Sequence, residues 1–119
     1  MQSPTENPAT FTSYRLPVSD LRKIYYFLPQ QIIRLEASDN YTLIYFDGRP
    51  PFVVSKVLKC YEEVLKPFGF VRTHRSHIVN RSYIKCIHSD TIIMQDASVA
   101  ELSRRKKHEV IKELGCRVA

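Results

Sequence analysis

The chain has 119 residues, 44% of them apolar, and its 18 Lys and Arg outweigh 12 Asp and Glu to leave a net charge of +6. That length supports one core-forming domain but not two ordinary ones, and no apolar run approaches the roughly 20 residues that a membrane helix requires. The first fifteen residues, MQSPTENPATFTSYR, lack the hydrophobic region of a signal peptide, so a soluble, cytoplasmic protein with an anionic partner is expected.

Residues 1–17, rich in Pro, Ser, Thr and Asn, read as a disordered lead-in or linker, with the folded domain over 18–119. Three β-like segments follow: KIYYFL (23–28), QIIRLEA (31–37) and YTLIYF (41–46). They are dense in β-branched and aromatic residues and are separated by Pro29 and by Ser38-Asp39-Asn40. Asp47 to Pro51 reads as a turn and FVV (52–54) as a further strand. Ser55 can cap a helix in which Val57, Tyr61, Val64, Leu65 and Phe68 recur at helical spacing, stopped by Pro67 and Gly69. YIKCI (83–87) and TIIMQ (91–95) alternate as a hairpin about Ser89-Asp90, and SVAEL (98–102) reads as a last strand. A final helix from Ser103 to about Leu114 points Val110, Ile111 and Leu114 inward and stops at Gly115.

On these patterns Cys60 and Cys86 fall as small core residues. The three cysteines have no C-x-x-C spacing and form neither a disulfide framework nor a zinc ribbon. The expected fold is mainly β with two short helices. Without strand–helix alternation and a Gly-rich turn, a nucleotide-binding α/β fold is disfavoured, and helices isolated among strands do not make a helix-turn-helix.

Two short segments hold eight of the eighteen cations: Arg72, Arg75, Arg81 and Lys85 within 72–85, and Arg104, Arg105, Lys106 and Lys107 in a row. A solvated charged face is the ordinary reading of either alone. His74 and His77 suggest a metal, but their neighbours are Arg, Ser, Thr and Asn, and three arginines repel a divalent cation, so no metal or cofactor is expected. Ser76 beside a histidine has no third orienting group or oxyanion donors marked in the sequence, and no enzyme is expected. An anion explains more. In a helix starting at Ser103, the four cations would crowd the positive end of the dipole, and a bound phosphate would relieve them. In RTHRSHIVNR (72–81), guanidinium, imidazole, hydroxyl and amide donors surround apolar Ile78 and Val79, which can anchor the stretch.

At these residues the sequence resembles the LytTR-type DNA-binding domains at the output end of many bacterial response regulators. The resemblance covers about residues 22–114. It rests on I-x-R-L-E-A-S-D-N-Y-T (Ile32 or Ile33 through Thr42), F-x-R-T-H-R-S-x-I-V-N (Phe70 through Asn80), Ile84 and Ile87, and L-S-R-R (Leu102 to Arg105). It implies small stacked β-sheets with two short helices, and loops that enter successive major grooves of DNA. The first loop would bring Asn40 and Tyr41 to the duplex. The central block would contribute Arg75, with His74 and His77 standing between contact and support, and the third loop would present Ser103, Arg104 and Arg105.

Asn80 reads as a buttress for the central loop through backbone hydrogen bonds, and Tyr41 also has a plain reading as the first residue of a strand. Glu101 departs from the family, whose members commonly carry proline there, and the double proline at 50 and 51 is a second departure. The expected function is a sequence-specific transcriptional regulator on double-stranded promoter DNA. Arg75 and Arg105 would read bases while Lys85, Lys106 and Lys107 meet phosphates. One copy, or a homodimer on a direct repeat, and a receiver domain or sensor partner upstream are all compatible with the sequence. An RNA-binding module and a basic protein-interaction domain are the alternatives; the first would require the many aromatics to be exposed on one sheet face, whereas they read as mostly buried.

Overall fold

Strand β3 (Ile32–Ser38) is apolar on both sides because it lies inside a sheet that is covered on both faces. The computed structural model describes residues 14–20 and 22–115. Around β3 the five-stranded antiparallel sheet runs in the order β5 (Arg49–Val54), β4 (Tyr41–Phe46), β3, β7 (His77–Asn80), β6 (Phe70–His74). A hairpin of β1 (Leu16–Ser19) and β2 (Ile24–Phe27) forms a two-stranded sheet, and β8 (Ile84–His88), β9 (Thr91–Met94) and β10 (Val99–Glu101) form a three-stranded one. Helices α1 (Lys59–Leu65) and α2 (Lys107–Glu113) complete a mainly β fold of stacked sheets.

Two cores flank the central sheet. One gathers Leu16, Val18 and Phe27 from the first hairpin with Leu58, Tyr61 and Leu65 of the α1 segment against Ile32, Leu35, Ile44 and Ile78. The other packs Ile92, Met94, Ala100, Val110 and Leu114 against Ile33, Val71 and Val79. Ile32 and Leu35 share one core although three residues apart, because a bulge between Ile32 and Arg34 turns Ile33 and Arg34 to the other side. Arg34, 5% exposed, is held there by Glu36 at 2.8 Å, the Ser98 hydroxyl at 3.0 Å and the ring of Tyr45, 3.9 Å beneath its guanidinium.

Several expectations need correction. The lead-in expected over 1–17 lies outside the described residues as far as residue 13, but Leu16 and Pro17 belong to β1. Arg49, Pro50 and Pro51 extend β5 at the sheet's edge, so only Asp47-Gly48 is turn. Residues 70–80 are a β-hairpin, and in β7 all four residues are buried. Helix α1 starts at Lys59 without a side-chain cap, so Ser55 does not cap it. Its buried stripe is Leu58, Tyr61 and Leu65, leaving Val57 and Val64 exposed.

Cys60 is therefore off the stripe and exposed. Cys86 is exposed too, because a bulge between Ile84 and Cys86 resets the alternation and turns Ile84 and Ile87 to the core. Among the rings expected inside, Phe27 and Phe46 are buried but Tyr26 is exposed.

Asn80 closes the base of the β6–β7 hairpin. Its Nδ2 donates to the Ile32 carbonyl at 2.9 Å and its Oδ1 accepts from the Ser82 N–H at 3.0 Å, with the residue 3% exposed. Asn80→Ala leaves a buried carbonyl unmet and should cost about 1–3 kcal/mol in a chemical unfolding titration.

Candidate nucleic-acid interface

Three chain reversals converge on one end of the central sheet. Strand β3 runs toward the Asp39-Asn40 turn, and β7 runs antiparallel to it from the Arg75-Ser76 turn, with Glu36 opposite His77. The Ala37 N–H donates to the Ser76 carbonyl at 2.9 Å, which ties the two turns together. The third reversal is the 102–106 segment between β10 and α2. Its Ser103 N–H donates to the Thr73 carbonyl at 2.8 Å and its Leu102 N–H to the Asp90 carbonyl at 2.9 Å, while the Thr73 hydroxyl donates to the Glu101 carbonyl at 2.9 Å.

Local chemistry shapes each turn. Asp39 takes φ 55, a left-handed conformation that Asp tolerates better than most residues. In the central turn, Arg72 donates from Nε to the His74 carbonyl at 3.1 Å and from Nη2 to the Arg75 carbonyl, while Nη1 meets Glu62 at 2.7 Å. Arg72 thus braces the backbone from which the exposed Arg75 side chain projects.

The sequence cluster at 72–81 is divided by the hairpin. Arg75 stands at its tip, whereas Arg81 lies at its base with its guanidinium near Gly69 and Gly115. His74, Arg75, Ser103, Arg105 and Lys106 line one cleft with Arg72 and Glu62. Arg104 and Lys107 are tied to Asp90 at 3.2 and 3.7 Å. Among the described residues, Arg75, Arg105 and Lys106 are in no ion pair.

Asn40 and Tyr41 are exposed at the first turn. Lys85 is exposed near the start of β8, at the far end of that strand from the Ser89-Asp90 turn, and does not join the cluster. Lys56, not singled out in the sequence, is exposed and follows β5 close to the first turn, where the Thr42 hydroxyl donates to its carbonyl at 2.6 Å. The signal available was a lone lysine after a strand, which is too common to single out. The last helix starts later than Ser103: Lys106 is its N-cap and Lys107 its first residue, so these two stand at the positive end of the dipole while Ser103, Arg104 and Arg105 precede it.

His77 is 5% exposed and offers the rim almost no surface. Burial is the main reason its pKa lies below the usual 6.5, with Arg34 and His74 also lowering it against the opposing pull of Glu36 and Glu101. A ring that resists protonation in the folded chain but not in the unfolded one favours unfolding once the unfolded ring gains its proton. Stability should therefore fall as pH drops below about 6.5 and level off below the lowered folded pKa. His77→Phe should reduce that slope in urea titrations at pH 7.5 and 5.5.

No group of His, Cys, Asp and Glu among the described residues could hold a metal ion, and no helix among them is long and apolar enough to cross a membrane. The structure is a β scaffold that gathers exposed cations on its turns. The profile of the LytTr DNA-binding domain matches residues 22–115, and the chain belongs to that family of non-catalytic DNA-binding transcriptional regulators. The LytTr DNA-binding domain of a Bacillus cereus protein described as a methyl-accepting/DNA response regulator superposes with a TM-score of 0.74 at 23% identity, over 87% of this chain and 98% of that one. Among curated proteins nothing matches.

Proposed function

We propose that this chain recognises promoter DNA by laying three turns into the major groove: Asp39 to Tyr41, Arg75-Ser76 and Ser103 to Lys106. The observation that carries the reading is the convergence of these turns on one rim, where Arg75, Arg105 and Lys106 are in no ion pair among the described residues. Arg75 and Arg105 carry base readout through the two-pronged guanidinium contact that suits guanine. Lys106 and Lys56 meet phosphates, and Arg104 and Lys107 join them by exchanging Asp90 for the backbone. His77 and Asn80 support the hairpin from within, and Lys85 lies apart from the contact set. One copy or two on a direct repeat fit the same rim, and an upstream receiver or sensor would supply the input.

Selection of bound duplexes from a random library tests this reading: an enriched motif is expected, and absence of duplex binding even at low salt would overturn it in favour of an acidic protein partner. Competition by single-stranded RNA is expected to fail, because the exposed rings Tyr26 and Tyr41 lie on different sheets and form no stacking platform. Lys106→Ala should weaken selected and random duplexes alike and flatten the salt dependence by about one unit of slope.

A further inference from the structure

Glu101 is an acid beside the cation cleft, and its side chain is 67% exposed. Two carboxylates beside the cation cleft are already matched to permanent cations, Glu62 to Arg72 and Asp90 to Arg104 and Lys107. Glu101 has only imidazoles: His74 Nε2 stands 3.7 Å from Oε1 and His77 Nε2 3.8 Å from Oε2.

Both imidazoles turn Nε2 toward the Glu101 carboxylate. His74 Nδ1 accepts the Ser76 N–H at 3.1 Å, which leaves the ring proton on Nε2, facing Glu101. His77 Nδ1 is buried with no hydrogen-bond partner, so its proton also belongs on Nε2, the nitrogen with an acceptor in view. Both separations exceed hydrogen-bond length. The carboxylate is thus flanked from two sides while its lone pairs remain available to a third party.

We infer that Glu101 is a specificity-determining residue that accepts a hydrogen bond from an exocyclic amino group in the major groove, that of cytosine first. A carboxylate can only accept, and cytosine N4 is the groove donor it matches. Next to phosphates the same charge is repelled, so a duplex that does not offer the amino group at this place is penalised. The inference rests on the DNA-binding reading of the rim. It adds to that reading a residue that opposes non-specific attachment, set between the β6–β7 tip and the 102–106 segment by Thr73 and the histidine pair.

The test is duplex selection with the full chain and with Glu101→Gln and Glu101→Ala, followed by affinity for the recovered wild-type site and for a random duplex. Both variants should bind the random duplex more tightly than the wild type does. At one base pair of the motif the preference for cytosine should fall by roughly tenfold, shifting toward adenine in Glu101→Gln, whose amide suits adenine. Glu113→Gln, at an exposed carboxylate of α2 at the end of that helix away from the rim, should leave that position unchanged. If the variants return the wild-type motif, Glu101 reads no base and the inference fails while the DNA reading stands. If the wild type returns no motif, both fail.

Discussion

Ile78→Ala should lower the unfolding free energy by about 2–5 kcal/mol, measured by urea titration. Ile78 is 1% exposed in the core beneath the first hairpin and α1, while its neighbour Val79 is fully buried in the opposite core. Strand β7 is therefore the shared wall of both cores, and the hairpin that carries Arg75 is gripped from two sides. The lost methyl and methylene groups leave a cavity that neither core can collapse to fill without moving the other. A loss under 1 kcal/mol would mean that β7 is held by its hydrogen bonds alone.

Arg75→Ala should cost about 1–3 kcal/mol on the selected site and relax preference at the base it contacts. Its backbone is already fixed: Arg72 holds the carbonyls of His74 and Arg75, and Ser76 is bonded to Ala37 across the sheet. Little ordering remains to be done by the duplex, so the guanidinium's contribution should appear as sequence preference. Equal losses on the selected and a random duplex would show that Arg75 meets only phosphate.

Elements with an open alternation were legible in the sequence. Strand β4 alternates Thr42, Ile44 and Phe46 inward against Tyr41, Leu43 and Tyr45, and the β8–β9 hairpin was visible from its turn at Ser89-Asp90. Strands β6 and β7 were not, because β7 is buried at every position and includes His77 and Asn80, so it shows neither a period of two nor an apolar run. The two cysteines were misplaced for a similar reason: a bulge and a shifted helix start each move the pattern by one residue, and nothing in the composition announces either.

The rim's chemistry divides in the same way. The motifs brought out Arg75 and the 103–107 block, but distance in sequence hid Asp90, which decides which of those cations are paired. It also hid Arg72 as a brace for the turn, since its partners His74, Arg75 and Glu62 meet it only after the hairpin folds over α1.

Strand β5 is the outermost strand on its side of the central sheet, and Pro50 and Pro51 fall in its irregular stretch, where the register against β4 shifts. Pro50 and Pro51 have no N–H, so that stretch of the border lacks donors for an incoming strand. Edge-to-edge pairing of two copies is thus disfavoured along this stretch.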